Sequence, residues 1–187
     1  MKTKNMSQVV IMISLIASSS QVFSQEIVSE KPKMDEKQSV ITKGSLSSIL
    51  ADSTTFSTLN KALKATGLDL TLGGPGEFTV FAPTDDAFSK LPPAVLTKLM
   101  LPQNIEKLRS LLLYHVIAGK RLAADLKDGG VKTMNGEMVK IDADGDKIEL
   151  DGAKVFSPDV MATNGVLHSL GKVLIPKSMD GFADLDR

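Results

Sequence analysis

Histidine and carboxylate side chains are the groups in this sequence that could carry acid–base or metal chemistry. The chain contains two histidines, His115 and His168, and no cysteine. These numbers argue against a thiolate or multi-histidine metal centre and against a cysteine nucleophile. The sequence also lacks the Gly-x-Ser-x-Gly pattern of a serine nucleophile elbow. We therefore predict a protein that is not an enzyme, with no catalytic residue, no metal site and no cofactor.

Acidic residues cluster around residues 142–151, where calcium would be the relevant cation. Alternating aspartates from Asp142 to Asp146 resemble the first ligands of a calcium loop, but the twelfth position is Ala153 instead of Glu. The pair Asp144-Gly145 is typical of a tight hairpin turn. We interpret the cluster as the solvated end of a hairpin, and weak calcium binding outside the cell stays as the alternative.

The overall composition is that of a globular protein without a charged field. Hydrophobic residues make up 42% of the 187 residues and charged residues 24%. Basic and acidic residues number 22 each, and aromatic residues are 4% with no tryptophan. A nucleic-acid partner is not expected, because neither a basic surface nor a stacking platform is indicated.

The first residues have the layout of a secretory signal peptide. Lys2 and Lys4 precede an apolar stretch at residues 9–17, and small polar residues follow up to Ser24. The stretch is too short for a permanent membrane span. We predict cleavage before Gln25, which removes two lysines and no acid and leaves a net charge of −2. The mature protein is then exported, to the periplasm, the cell surface or the extracellular space, with no membrane span.

Four regions follow from these signals and from the hydrophobic pattern. Residues 1–24 are the signal peptide, residues 25–43 are polar and form a flexible linker, residues 44–176 form the folded domain, and residues 177–187 are a polar C-terminal tail.

The first half of the domain is predicted to be rich in helices. Helical spacing places Phe56, Leu59, Ala62 and Leu63 on one face, with Gly67 as the stop. Residues 78–81 form a strand, after which Thr84 caps a helix that has Asp85 and Asp86 in its first turn. A second helical stripe consists of Ile105, Leu108, Leu112 and His115.

The second half is predicted to be a β meander. Turn pairs recur at Asn135-Gly136, Asp144-Gly145, Asp151-Gly152 and Asn164-Gly165. The apolar or alternating runs near them are residues 138–141, 147–150, 154–156, 160–163 and 172–175, and Pro176 closes the last strand. Because helices and strands are segregated along the chain, the fold class is α+β.

Three segments together resemble the fasciclin domain family. They are FTVFAPTDDAF at 78–88, YHVI at 114–117 followed by Gly119, and TNGVLH at 163–168 leading to KVLIP at 172–176. The resemblance covers residues 44–176 and implies a β-sandwich or wedge-shaped core with several helices packed against it. It departs from the family at Gly171, where Asp or Asn is common, and at Ser169, which is more polar than usual.

The resemblance also implies an adhesion module and candidate partner-binding residues. Tyr114 and His115 match a segment linked to integrin binding in animal matrix members. Residues Pro158, Asp159 and Met161 match a second adhesion motif, Glu-Pro-Asp-Ile-Met, in which Ser157 replaces Glu and Val160 replaces Ile. The expected partner is a cell-surface or matrix protein or a polysaccharide. Some secreted algal members of the family bind carotenoids, so a carrier of a small apolar ligand is the alternative.

Structural roles compete with contact roles at these positions. His115 shares a stripe with leucines, so we expect a buried histidine that donates a hydrogen bond and joins its helix to the sheet. His168 is expected to enter the sheet. Pro158 lacks a backbone N–H and is expected at a strand edge or loop start. Asp159 is expected to be exposed or bonded to local amide groups, as a contact or as an organiser of the turn.

Overall fold

The computed structural model describes residues 44–145, 147–179 and 182. The predicted signal peptide, the predicted linker, Asp146 and most of the predicted tail lie outside the described residues.

The described chain has six α-helices, three before its first strand and three after it. They are α1 (Leu46–Asp52), α2 (Ser57–Thr66), α3 (Leu68–Gly73), α4 (Asp85–Ser89), α5 (Pro93–Leu99) and α6 (Ile105–Tyr114), and strand β1 (Phe78–Pro83) lies between α3 and α4. Single turns of 3-10 helix occupy Thr54–Phe56, Pro102–Asn104 and Ala123–Asp125. The helix predicted from apolar spacing is α2, which buries Leu59, Ala62 and Leu63. It ends at Gly67, whose φ of 70° is the left-handed cap conformation that glycine favours.

Six further strands complete the sheet. They are β2 (Val116–Ala118), β3 (Gly129–Lys132), β4 (Met138–Asp144), β5 (Lys147–Leu150), β6 (Ala153–Ala162) and β7 (Gly165–Leu170). The strand order is β2-β1-β7-β6-β5-β4-β3. Only the pair β1–β7 is parallel among the described strand pairs, and the others are antiparallel neighbours. The α+β class, with helices first and a meander after, is confirmed.

Two hydrophobic cores lie on opposite faces of the sheet. Val80 and Ala82 of β1 pack with the helices in the first core, whereas Phe81 belongs to the second core. This alternation follows the pleat of a strand, in which successive side chains point to opposite faces. The second core contains Tyr114 and the inward side chains of the meander, such as Ile141.

Two strand predictions differ from the structure. The runs at 154–156 and 160–163 belong largely to one strand, β6, with register shifts between Val155 and Val160. Residues 172–175 do not form a strand, and the last strand is β7. Val173 is buried in the first core and Leu174 in the second, so their apolar pattern reflects burial and not strand pairing.

The described part of the predicted tail contacts the domain. Met179 is buried in the first core, and Phe182 packs against that core. The Ser178 hydroxyl donates to the Glu137 carboxylate at 2.5 Å. These contacts extend the packed unit beyond Pro176.

Candidate functional site

Tyr114 ends α6 with its ring in the second core. The side chain is 1% exposed, and its hydroxyl donates to Asp151 Oδ2 at 2.6 Å. Asp151 lies in the turn between β5 and β6 and also accepts a hydrogen bond from the Lys140 amide. Burial raises the pKa of Tyr114, and the adjacent Asp151 carboxylate raises it further. Tyr114 is therefore a neutral hydrogen-bond donor that fastens α6 to the meander.

His115 follows Tyr114 and is also buried, at 2% exposure. Its Nδ1 lies 2.8 Å from the Leu111 carbonyl, and its Nε2 accepts a hydrogen bond from the Leu174 amide at 2.9 Å. Burial lowers the pKa of His115 to about 4, so the ring is neutral at neutral pH. The predicted burial and hydrogen bonding are confirmed. The His115 ring, however, bonds the segment after β7, and it is the backbone carbonyl of His115 that accepts from a strand, at the Phe81 amide of β1.

The second candidate motif lies in a bulge of β6. The register with β7 shifts between Val155 and Ser157 and again between Ser157 and Val160. Among the described strands, β6 pairs with β7 alone from Ser157 onward. Pro158 is exposed in this half of the strand. It has no N–H to donate, and its position in the bulge does not require one for the hydrogen bonds of the sheet. The expectation of a strand edge is thus met. Strand β6 is paired on both sides only at its start, and Pro158 lies in the part that has a neighbour on one side.

Asp159 holds this bulge to a distant part of the chain. Its backbone has a φ of 60°, and its carboxylate accepts a hydrogen bond from the Ala123 amide at 2.7 Å. Its own amide donates to His168 Nδ1 at 3.2 Å. The prediction of an exposed residue or of local bonds was wrong, because Asp159 is half-buried and its partners are distant. The Ala123 amide begins a 3-10 turn, where N–H groups lack partners within the turn.

His168 lies in β7 and faces the second core, as predicted for a residue of the sheet. The ring is fully buried, stacks on Phe81 at a centroid distance of 5.3 Å, and places Nε2 at 3.0 Å from the Arg121 carbonyl. Burial lowers the pKa of His168, while the hydrogen bond to Arg121 and the Asp159 charge act in the opposite direction. His168 thereby joins β7, the β6 bulge and the segment that precedes Ala123.

The candidate residues do not form one surface. Tyr114 and His115 are buried, whereas Pro158 is exposed and Asp159, Val160 and Met161 are half-buried. A partner that approaches the folded protein can contact the motif in β6, which we call the β6 patch and define as residues 156–161. It cannot contact the two buried side chains without unfolding the end of α6. The assignment of partner binding to any of these residues stays a prediction.

A groove runs along the β6 patch. Its volume is about 570 Å³, and its walls come from α1, the turn Thr54–Phe56, α4, β6 and β7. Apolar walls are formed by Phe56, Phe156, Val160 and Leu167. On the α4 side, the Lys90 ammonium donates to the Gly171 carbonyl at 2.7 Å. The lining of the groove is mainly apolar, and it includes the opposite charges of Lys90 and Asp86.

Phe156 is the residue of this region that sequence reasoning missed. It is 60% exposed beside the groove, and its ring lies against Gly171. A side chain at Gly171, where the family commonly has Asp or Asn, would overlap the outer end of the Phe156 ring and would require this exposed ring to move. Ser169, the other departure, accepts a hydrogen bond from the Ser157 amide at 2.9 Å within the bulge. The sequence signal for an exposed Phe156 was its place directly after the apolar Val155. In a strand that alternates between two faces, neighbouring residues point in opposite directions, so both cannot face the same core.

The acidic hairpin shows no ligand set for a cation in the described part. Asp144 ends β4 and pairs with Lys147 of β5, Gly145 lies in the turn between these strands, and Asp142 pairs with Lys140 at 2.6 Å. Among the described residues, no group of three or more histidine, cysteine or carboxylate side chains is placed to hold a metal ion. In the same residues, no helix combines the length and the hydropathy that a membrane crossing requires.

Comparison with known proteins identifies the family of this α+β domain. The model of the fasciclin domain family matches residues 54–176. "Protein sll1483" of Synechocystis sp. is 40% identical over 147 residues, which are 75% of this chain and 82% of that protein. Human periostin is 38% identical over 57% of this chain and 13% of its own length. The chain therefore belongs to the fasciclin domain family.

A solved structure shows the same fold. It is a FAS1 domain pair from the insect cell adhesion molecule Fasciclin I, with a TM-score of 0.64 and 20% sequence identity. The match covers 72% of this chain and 52% of that one. It supports the architecture of helices against a seven-stranded sheet.

Proposed function

We propose that this chain is an exported, non-catalytic binding module that acts in cell adhesion or in contact with the cell envelope or extracellular matrix. Its partner is a cell-surface or matrix protein or a polysaccharide. The observation that carries the proposal is the exposed Phe156 and Pro158 on a β6 bulge that is fixed from behind. The likeness to a domain pair from a cell adhesion molecule supports it.

The β6 patch has the physical properties of a contact site. Exposed aromatic side chains are common binding hot spots, because they bury a large apolar area with few rotatable bonds. The bonds of Asp159 to Ala123 and His168 hold the bulge in one conformation. A rigid patch loses less entropy on binding than a flexible loop does.

A binding assay with one matched pair of variants tests the proposal. The mature protein, labelled with a fluorophore, is added to intact cells of the source organism and to their isolated matrix polysaccharides. Phe156→Ser is expected to weaken binding about tenfold or more. The control is Leu70→Ser, which removes an equally apolar side chain that is 79% exposed on α3.

The two variants must keep the unfolding midpoint of the wild type for the comparison to count. Equal binding by wild type and Phe156→Ser would remove the β6 patch from the proposal. Equal loss in both variants would indicate nonspecific apolar adhesion and would contradict it as well.

Export is part of the proposal and has its own measurement. Intact-mass analysis of protein from the native host is expected to find a chain that begins at Gln25, outside the cytoplasm. A chain that retains residues 1–24 in the cytoplasm would contradict the localisation.

The groove favours a second candidate function, the carriage of a small apolar ligand such as a carotenoid. Its volume of about 570 Å³ lies within the range of small-molecule sites, and its lining is mainly apolar. Protein purified from the native host is expected to show a visible absorbance band if this function is correct. Colourless protein that also fails to bind an added carotenoid would exclude the carotenoid as its ligand.

A further inference from the structure

We propose that His168 is a pH-sensitive latch that holds the β6 bulge closed in its neutral form and releases it when the ring is protonated. The inference rests on the proposed function, since the bulge carries the β6 patch and one wall of the groove. Acidification would loosen both, and would thus weaken the binding of a partner or of an apolar ligand.

The hydrogen bonds fix which form of the ring closes the latch. The Asp159 amide can only donate, so His168 Nδ1 must accept at 3.2 Å and carries no proton. Nε2 then carries the proton and donates to the Arg121 carbonyl at 3.0 Å. Protonation of the ring adds a proton to Nδ1, which then faces the Asp159 N–H as a second donor. The hydrogen bond from the Asp159 amide to β7 is lost and is replaced by repulsion between two N–H groups, while the Ser157 amide keeps its bond to Ser169.

The bulge has few other long-range attachments at Asp159. Besides the bond to His168, its carboxylate accepts from the Ala123 amide. Its φ of 60° lies in the left-handed region, which non-glycine residues adopt uncommonly. Once the hydrogen bond from the Asp159 amide to His168 is lost, relaxation of this backbone conformation favours the open form. Ser157 lies two residues before Asp159, and Val160 follows it directly. Both line the groove, so a change in the backbone at Asp159 moves this wall of the groove.

The surroundings of the ring favour the neutral form at neutral pH. The charged side chains on the elements packed against it are Asp159 and Lys154 of β6, Arg121, and Asp125 of the 3-10 turn Ala123–Asp125. Strand β1 contributes the uncharged Phe81. Burial lowers the pKa of His168 despite the opposing Asp159 charge and Arg121 hydrogen bond. The latch therefore opens on the acid side of the ordinary histidine range.

His115 provides an internal reference, because it has the reverse hydrogen-bond arrangement. Its Nε2 accepts from the Leu174 amide, so its proton lies on Nδ1 beside the Leu111 carbonyl. The structure thus assigns opposite tautomers to the two histidines of this chain. The protonation of each ring can be followed at the backbone amide that donates to it. This amide belongs to Asp159 for His168 and to Leu174 for His115.

The test is an NMR titration of the wild-type mature chain from about pH 8 to about pH 4, without any partner. Long-range proton–nitrogen spectra give the tautomer and charge of each ring, and hydrogen exchange gives the protection of single amides. We expect His168 to carry its proton on Nε2 at the start. As it becomes protonated, protection of the Asp159 amide should fall about tenfold or more, while the Phe81 amide stays protected by its bond to the His115 carbonyl.

Two results would overturn the latch. One is a proton on Nδ1 of His168 at about pH 8, and the other is unchanged Asp159 protection after the ring has become charged. A His168→Gln variant, if it folds, should show Asp159 protection that no longer follows the histidine titration. Because no partner is present, these results are independent of the binding assay, and failure of that assay would count against the proposed function alone.

Discussion

Two neighbouring residues, Tyr114 and His115, join the helical and β parts of the domain with polar atoms that are fully buried. Tyr114 reaches Asp151 in the meander, and His115 reaches Leu174 in the segment after β7. Buried polar groups stabilise only when their partners are present, so each residue depends on a specific acceptor or donor. At the C-terminal end of α6 the two side chains point to different parts of the domain, Tyr114 to the meander and His115 to the segment after β7.

Replacement of His115 by alanine is expected to lower the free energy of unfolding by about 1–3 kcal/mol. The reason is the unpaired Leu174 amide, together with the cavity left by the ring. Denaturant unfolding gives the value, and Lys61→Ala on the exposed face of α2 serves as the control. An unchanged midpoint for His115→Ala would show that the ring has no structural role.

Replacement of Tyr114 by phenylalanine isolates one hydrogen bond. The ring still fills the second core, but the Asp151 carboxylate loses the hydroxyl that donates at 2.6 Å. We expect a loss of about 1 kcal/mol, because Asp151 is exposed and can bind water instead. Thermal unfolding measures the effect, and a loss as large as that of Tyr114→Ala would contradict this assignment.

At the scale of elements, one aspartate stabilises a helix to which it does not belong. Asp85 starts α4, as the sequence predicts, but its carboxylate accepts hydrogen bonds from the Ser57 amide, the Ser57 hydroxyl and the Thr58 amide at the start of α2. The α4 start is capped by Thr84, whose hydroxyl accepts from the Ala87 amide at 3.2 Å. The two helices are thereby tied together at their N-terminal ends.

The matched variants Asp85→Asn and Asp86→Asn separate this cross-cap from a general helix-dipole effect. Asp85→Asn should cost about 1 kcal/mol, because three hydrogen bonds lose their charged acceptor. The control, Asp86→Asn, changes an exposed acid of the same helical turn and should cost much less. Chemical denaturation decides between them, and equal losses would mean that the dipole alone matters.

The same contact has a pH signature. Burial acts to raise the pKa of Asp85, but the hydrogen bonds from Ser57 and Thr58 outweigh it and hold the pKa below its ordinary value of 3.8. Because the folded pKa is the lower one, the contribution of Asp85 is fully present above pH 3.8 and is lost as the pH falls through the folded value. Asp85→Asn should abolish this part of the acid sensitivity.

Local patterns in the sequence predicted helices and turns better than pairing partners. Gly67 as a helix stop and Thr84 as a cap were readable because their effects are local. The distant partner of Asp159 was not, since nothing in the neighbourhood of residue 159 specifies Ala123. Residues 172–175 were mistaken for a strand because burial and strand pairing produce the same apolar run.

Across the whole molecule, the two buried histidines make stability depend on pH. Burial lowers the pKa of His115 from 6.5 to about 4 and lowers that of His168 as well. The unfolded chain therefore binds more protons, so the free energy of unfolding falls as the pH drops below 6.5. The shift of His115 corresponds to a loss of about 3 kcal/mol by the time the pH has fallen to its folded value.

Urea unfolding at a series of pH values measures this dependence. The decline between about pH 6.5 and about pH 5 belongs to the histidines, because carboxylic acids remain ionised there. Stability that is constant or rising as the pH falls through this window would contradict the neutral, buried state of both rings.

The class of the whole fold was readable from the sequence, whereas the groove and the β6 patch were not. The order of helix and strand signals gave α+β, and the three motifs gave the family that the comparison shows. The groove is formed by α1 and α4 together with β6 and β7, and these two strands are far from the helices in sequence. Its walls depend on packing that no local pattern encodes.

Site-specific cross-linking tests most directly that the β6 patch is where this protein meets its partner. A photo-reactive amino acid is placed at Phe156 in one sample of the mature protein and at Leu70 in another, and each is irradiated on intact cells of the source organism. We expect a cross-linked product from position 156 and little or none from position 70, since both side chains are exposed but only Phe156 borders the groove. Products of equal yield from both positions, or a product from position 70 alone, would contradict the assignment of binding to the β6 patch.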